Sequence, residues 1–189
     1  MFIQTETTPN PATLKFLPGR AVFEGGTMEF SSRDTAARSP LAQRLFDVAG
    51  VTGVCYGSDF ITVTKSGGEW AQLKPAILGA IMEHYMSEAP LLVDGSAASD
   101  EDRDESDEFF DASDRETVNM IKELIETRVR PVVANDGGDI TFRGFKDGIV
   151  YLNMKGACAG CPSATATLKN GVQNLLRHFI PAVIEVRPV

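Results

Sequence analysis

Cys158 and Cys161 are the two residues of this sequence whose type and spacing are best suited to chemistry. Gly156 and Gly160 allow backbone angles that a side chain would forbid, so a tight turn is expected here. Pro162 suits the first turn of a helix, where its missing N–H costs nothing. We therefore expect both sulfurs to face outward together at a helix N-terminus, whose partial positive charge favours the thiolate. The thiolate is the form that binds a metal or attacks a disulfide.

A pair of cysteines with this spacing is compatible with three kinds of site: a thioredoxin-like redox site, half of a zinc site, and part of an iron-sulfur ligand set. Redox pairs sit in a strand-helix unit, whereas here a β-hairpin is predicted before the pair, with one helix and one short strand after it. A zinc or iron-sulfur centre needs about four ligands. Two chains that each donate Cys158 and Cys161 to one centre would supply them. A thiol-disulfide oxidoreductase and a zinc site that bridges a dimer remain the alternatives.

The region that positions the pair is predicted to form an α-β-β-α-β domain over residues 114–189 that carries the two cysteines on a loop. Its expected elements, in order, are a helix that begins at Ser113 and ends at Pro131, strands over 140–145 and 149–154, a helix after Pro162, and a strand over 183–186. Ser113 and Glu116 have the spacing of a capping box. Pro131 lacks the N–H that a helix interior requires, so the first helix is expected to end there.

Residues 1–93 are predicted to form a separate small domain with no constellation for chemistry. Its expected elements are strands over 2–3, 13–16, 22–23, 28–30, 51–56 and 60–64, and helices that begin at Ser39–Pro40 and at Glu69. Cys55 alternates with Val54 and Tyr56 in a strand, and we expect it to be a core or inert residue rather than a ligand. His84 and His178 lie on helices without a cysteine or second histidine at ligand spacing, and we expect them to be structural. The predicted fold class is α+β, with two small α+β domains.

The two domains are joined by a segment, residues 94–113, that we predict to be an acidic flexible linker. It contains nine acidic residues and one arginine, a balance that equals the net charge of −8 of the whole chain. The rest of the sequence is therefore formally neutral and has no basic footprint for nucleic acid. Such a segment has too little apolar surface to offset chain entropy. Phe109 and Phe110 are the exception, and we expect them to pack on the edge of the second domain.

The cysteine count and the apolar runs also indicate a compartment. Three cysteines, two of them in one motif, do not make a disulfide framework, which favours a reducing compartment. The residues after Met1 have neither a signal-peptide nor a presequence pattern, so we expect the chain to begin as mature protein. No apolar run approaches the about 20 residues that cross a bilayer, and no membrane partner is expected. We predict a cytoplasmic (bacterial) protein, or one from an organelle matrix if a presequence has been removed.

Several segments resemble one known family. The segments Asn135–Ile140 (NDGGDI), Gly156–Ser163 (GACAGCPS) and Thr167–Val172 (TLKNGV) resemble the NifU-like C-terminal domain of Nfu-type iron-sulfur carriers. Thr8–Phe16 (TPNPATLKF) and Asp59–Lys65 (DFITVTK) resemble the Nfu-type N-terminal domain. Together the resemblances cover nearly all of residues 1–90 and 114–189.

The resemblance implies a 4Fe-4S cluster held between two protomers by Cys158 and Cys161 of each. It also implies a scaffold and carrier rather than an enzyme, which receives a cluster from the iron-sulfur assembly machinery and transfers it to apo iron-sulfur client proteins. We expect the isolated protein to be in the apo form and the cluster-loaded protein to be a homodimer.

Overall fold

The computed structural model describes residues 1–93 and 108–189. By its internal contacts the chain divides into two units, Met1–Ala97 and Ala98–Val189, which we call the first and the second unit. Each unit contains both helices and strands, so the predicted α+β class is confirmed. The segment predicted to be an acidic linker, 94–113, lies largely outside the described residues.

The first unit is a sheet covered by two helices. Its elements are β1 (Gln4–Thr7), β2 (Thr13–Leu17), β3 (Met28–Phe30), α1 (Pro40–Phe46), β4 (Val51–Tyr56), β5 (Ile61–Lys65) and α2 (Trp70–Met86). Within residues 1–93 the five strands form one antiparallel sheet in the order β1-β2-β5-β4-β3. Buried residues of both helices and of the sheet form a single apolar cluster. Burial of such side chains stabilises the unit by roughly 1.5–3 kcal/mol each.

The start of α1 agrees with the sequence, whereas two predicted strands of this unit are wrong. The Ser39 hydroxyl accepts the N–H of Ala42 at 3.3 Å, and Pro40 occupies the first turn. No strand forms at 2–3, since the first strand is Gln4–Thr7, and none forms at 22–23. The N–H groups of Val22 and Phe23 bond to carbonyls of the 57–58 turn, at 2.8 and 3.0 Å, and not to a strand.

The second unit contains a β-hairpin and a parallel third strand. Its elements are α3 (Arg115–Leu124), a π turn (Ile125–Val129), α4 (Arg130–Asn135), β6 (Gly138–Lys146), β7 (Ile149–Gly156), α5 (Pro162–Phe179) and β8 (Glu185–Pro188). Within residues 108–189, β6 pairs with β7 antiparallel, and β7 pairs with β8 parallel. The α5 helix is the crossover between the two parallel strands, so the cysteine loop lies at the end of β7 where that crossover begins.

The first helix of this unit departs from the prediction at both ends. A 3₁₀ turn over Ala112–Asp114 precedes α3, which begins at Arg115 without a side-chain capping bond, so the predicted capping box at Ser113 is not formed. The predicted end at Pro131 is also wrong, since the helix continues through the π turn into α4. Pro131 is tolerated because it lies in the first turn of α4.

The π turn explains how one helical face stays buried over this length. Ile121, Ile125, Val129 and Val133 follow each other at intervals of four residues, and all are buried. In a regular α-helix, three such steps would rotate the face by about 120°. The wider π turn absorbs part of this rotation. It thereby also determines the direction of the residue that follows it, Arg130.

Phe109 and Phe110, near the start of the described residues 108–189, are attached to the second unit. The backbone of Phe109 donates to Arg143 O at 3.2 Å and accepts the N–H of Phe145 at 2.9 Å. Its ring lies over Gly144, where any Cβ would overlap it, and 5.1 Å from the ring of Tyr151. Phe110 packs on the core. The two phenylalanines therefore pack on the second unit, as expected from the sequence.

Neither described part of the chain has a helix with the length and apolar character needed to span a bilayer.

Candidate metal centre

The cysteine loop connects β7 to α5 as the sequence predicts. Gly156 and Gly160 have φ values of 65° and 75°, a region that side chains rarely adopt. Cys161 is the N-cap residue of α5, and Pro162 is in its first turn. The carbonyl of Cys161 accepts the N–H of Thr165 at 2.9 Å. The loop therefore presents Cys161 at the positive end of an 18-residue helix.

Cys161 has the environment expected of a metal-binding thiol. It is partly exposed, and its Sγ lies 3.4 Å from the Ser163 hydroxyl. The hydrogen bond with Ser163, and then one from the backbone of Ala164, lowers the pKa of the Cys161 thiol. The thiolate of Cys161 is thus favoured and accessible.

Cys158 lies differently, and the expectation that both sulfurs face outward is wrong for it. It is only 7% exposed and belongs to the apolar cluster of the second unit. Burial, and then the nearby carboxylates of Asp136 and Asp139, raises the pKa of the Cys158 thiol to about 12. At neutral pH Cys158 is therefore a protonated thiol packed in the apolar cluster of the second unit.

The start of β6 forms the wall against which Cys158 packs. A Cβ on Gly138 would overlap Cys158 Sγ and would lie 3.1 Å from its backbone nitrogen. Gly138 pairs with Gly156 in the β6–β7 ladder. On the other side, the Thr165 hydroxyl donates to the carbonyl of Cys158 at 3.0 Å. A glycine is therefore required at 138 because of the close approach of the sulfur.

Two charged residues beside this wall were not found from the sequence. Arg130 Nε and Nη2 donate to Asp139 Oδ1 and Oδ2, each at 2.8 Å, and Arg130 Nη1 lies 2.7 Å from Glu126 Oε1. Asp139 is 3% exposed, and its Oδ1 also accepts the N–H of Ile140 at 2.8 Å. Hydrogen bonding to Asp139 raises the pKa of Arg130. The available signal was an aspartate directly before a strand of core residues, which calls for a partner.

The other cysteine and the histidines do not complete a ligand set. Cys55 is buried in β4 of the first unit, where its Sγ lies 3.8 Å from Tyr56 O. His84 is buried on α2, and His178 is exposed near the end of α5. Within residues 1–93 and 108–189, no group of three or more His, Cys, Asp or Glu side chains could hold a metal ion. The pair Cys158 and Cys161 offers two thiols, so a four-ligand centre needs ligands from outside this set of side chains.

Comparison with known proteins gives matches to both units. The family model described as "Scaffold protein Nfu/NifU N terminal" matches residues 3–88. The model of the NifU-like domain matches residues 121–187, which include the cysteine loop.

Similar proteins match the chain over nearly its whole length. Human "NFU1 iron-sulfur cluster scaffold homolog, mitochondrial" is 48% identical over 100% of this chain and 72% of its own length. "NifU-like protein 4, mitochondrial" of Arabidopsis thaliana is 50% identical over 97% of this chain and 64% of its own length.

The solution structure of a NifU-like protein from Saccharomyces cerevisiae is 26% identical, with a TM-score of 0.46, over 50% of this chain and 86% of that one. The chain thus spans about two thirds of the length of the Arabidopsis relative. With both family models matched and a relative 48% identical over the full chain, this protein belongs to the Nfu/NifU family.

Proposed function

We propose that this protein is a scaffold and carrier for iron-sulfur clusters, with Cys158 and Cys161 as its ligands. The observation that carries the proposal is a pair of thiols, half of a four-ligand set, on a loop of the NifU-like unit. One of the two, Cys161, is accessible and favoured as the thiolate. The names of the relatives, which describe iron-sulfur cluster scaffolds, support it. The protein supplies ligands and releases them, and we propose no enzymatic step.

The cluster is cargo, and we propose that it is a 4Fe-4S cluster bridged between two protomers. A 4Fe-4S cluster takes four thiolates. Two copies that each supply Cys158 and Cys161 complete this set. Separation of the protomers halves the ligation, so a bridged cluster is easily surrendered to an apo-protein that offers its own thiolates.

The different environments of the two thiols suggest an order of ligation. Cys161 is accessible and favoured as thiolate, so it binds iron first. Cys158 is buried as a thiol, and it must move outward and release a proton when it binds iron. In transfer Cys161 again acts before Cys158. Cys161 is the ligand that an incoming thiolate of a client protein reaches first, and Cys158 regains its proton and its packed position after the cluster has left.

The proposal defines the partners by their chemistry. The donor is the iron-sulfur assembly machinery, the acceptors are apo iron-sulfur proteins, and the second protomer is a copy of this chain. We propose the bacterial cytoplasm as the compartment, or an organelle matrix if a presequence has been removed. The mitochondrial names of the relatives support the second of these.

Anaerobic reconstitution tests the proposal. The full chain is incubated with iron, sulfide and a reductant, desalted, and assayed for iron, acid-labile sulfide and visible absorption. We expect a brown protein that loses its colour to an apo 4Fe-4S acceptor protein, whose own activity appears in step.

The same preparation distinguishes the two alternatives. A thiol-disulfide oxidoreductase would reduce insulin disulfides as a monomer and hold no acid-labile sulfide. A zinc bridge would give a colourless dimer that retains zinc through anaerobic preparation. Either result, together with failure to load sulfide, would contradict the carrier function.

A further inference from the structure

The ion pair of the partly exposed Arg130 and the buried Asp139 adjoins the cysteine loop but contains neither thiol. Arg130 grips the carboxylate with two parallel hydrogen bonds, a geometry that fixes direction as well as distance. Asp139 Oδ1, which accepts from Arg130 Nε, also accepts the N–H of Ile140. Because Asp139 is almost fully buried, loss of Arg130 would remove the counter-charge that compensates its carboxylate inside the unit. The pair therefore fixes the position of the backbone at Asp139, at the start of β6.

The π turn is what directs Arg130 to this position. The backbone N–H of Arg130 bonds to the carbonyl of Ile125, five residues earlier, rather than to the fourth residue. One residue more in a turn shifts every later side chain by about 100° around the helix axis. A regular helix with the same buried residues before the turn would direct Arg130 elsewhere. Single π turns of this kind are frequent at functional sites.

The other end of the ion pair leads directly to Cys158. Asp139 is the neighbour of Gly138, and the two pair with Lys155 and Gly156 in the β6–β7 ladder. Gly138 is in contact with Cys158 Sγ. The backbone of residue 137 accepts the N–H of Ala157 at 3.1 Å, which ties the loop to the same wall. A displacement of Asp139 would therefore displace the surface on which the buried thiol rests.

We propose that Arg130 is a positioning residue for cluster binding. By holding Asp139 it holds the Gly138 wall, and so it sets the depth at which Cys158 lies before it binds the cluster and after it has released it. The inference rests on the proposed function, because the position of Cys158 has a role only if Cys158 is a ligand. It assigns to Arg130 no contact with the cluster.

The test measures the accessibility of each cysteine in the full-length metal-free chain, so that the result does not depend on cluster loading. Wild type, Arg130→Met and Arg130→Lys are alkylated with iodoacetamide at one pH, and each cysteine is followed by mass spectrometry. We expect Arg130→Met to alkylate Cys158 about tenfold faster, because local opening around it is more populated. Cys161 should keep its rate. Arg130→Lys should fall between, because it retains the charge but not the two-pronged geometry.

Three control variants separate positioning from general loss of stability. Arg128→Met removes a charge from the same π turn, where Arg128 lies over the ring of Phe179, and should leave the Cys158 rate unchanged. Ile121→Val weakens the core of the same unit without touching the ion pair. The double variant Arg130→Met/Asp139→Asn leaves no buried unpaired carboxylate, so it should fold even where Arg130→Met does not. Its Cys158 rate should still be about tenfold above that of wild type.

Cluster loading then links the ion pair to function. Reconstituted wild type and double variant are challenged with an iron chelator, and we expect the variant to lose its iron several times faster. A Cys158 rate in the double variant equal to that of wild type would overturn the inference. So would an equal increase in Ile121→Val at matched melting temperature, or equal chelator rates. Failure of wild type to load iron and sulfide would instead contradict the proposed function, while leaving the alkylation result intact.

Discussion

The two units share a fold class but place their cysteines in opposite ways. In the first unit, Cys55 lies in β4, an inner strand of the sheet, and is 2% exposed. In the second unit, Cys158 and Cys161 lie on a loop between a strand and a helix. A strand holds a thiol in a core, whereas a strand-to-helix loop offers N–H groups and an exit to solvent. The difference supports the proposal that the second unit binds the cluster.

Within the loop the same contrast separates the two thiols. Cys158 resembles Cys55 in its burial, while Cys161 is accessible and has a lowered pKa. The second unit thus combines a thiol that is buried by packing, Cys158, with an accessible thiol that is favoured as the thiolate, Cys161.

The largest expected effect is the loss of cluster from cysteine variants of the second unit only. Cys158→Ser and Cys161→Ser should lose nearly all bound iron after reconstitution, because serine does not replace a soft thiolate ligand. Cys55→Ser should load as wild type does. Iron and sulfide assays on the three variants measure this, with circular dichroism to confirm folding. A Cys55→Ser protein that loses the cluster, beside a Cys158→Ser protein that keeps it, would reverse the comparison.

The next effect concerns the wall that makes Cys158 different from Cys161. Gly138→Ala should destabilise the second unit by about 1–3 kcal/mol, because the new methyl group overlaps the Cys158 sulfur and lies 3.0 Å from Lys155 O. It should also reduce cluster loading. Thermal denaturation and iron content measure both changes.

Gly171→Ala is the matched control for this variant. Gly171 lies in α5, and nothing within 4 Å would meet its Cβ. Alanine there should raise stability by up to about 1 kcal/mol. If Gly138→Ala behaved like Gly171→Ala, the packed position of Cys158 would be wrong.

A smaller effect tests the buried state of Cys158 through pH. The folded unit raises the pKa of Cys158 from 9.0 to about 12, so it favours the neutral thiol. Below pH 9 both folded and unfolded chains keep the proton, and this contribution to stability is fully present. Above pH 9 the unfolded chain loses its proton first, so the stability falls until the folded pKa is reached.

Cys158→Ala lacks this titration. The difference in free energy of unfolding between wild type and variant should therefore change by about 1 kcal/mol in disfavour of wild type between pH 9 and 10. Denaturant unfolding under reducing conditions at pH 8, 9 and 10 measures it. A constant difference would mean that Cys158 is exposed like Cys161.

Much of this arrangement is encoded locally and could be predicted. The glycines and Pro162 determine the turn and the start of α5, and Ser39 with Pro40 determines the start of α1. In each case the signal and the structure it specifies lie within a few residues of each other. The motif around Cys161 also carries the resemblance to the NifU-like domain, whose family model matches residues 121–187.

What could not be predicted depends on contacts between distant residues. Pro131 is a strong local signal for a helix end, but the period-four core residues before it favour a π turn that continues the helix. The burial of Cys158 depends on a glycine twenty residues earlier. The partner of Asp139 lies on another element, at a spacing that no periodicity specifies. Such pairs become visible only when tertiary structure brings the elements together.

The central claim is that each chain supplies two of four cluster ligands, and its most direct test is a measurement of mass and composition on one sample. Light scattering coupled to size exclusion gives the mass of the reconstituted protein, and the same fractions are assayed for iron and sulfide. We predict a dimer with about two irons and two sulfides per chain, which returns to monomer when a chelator removes the iron. A cluster-loaded monomer with about four irons per chain would contradict the account, because Cys158 and Cys161 cannot supply four thiolates.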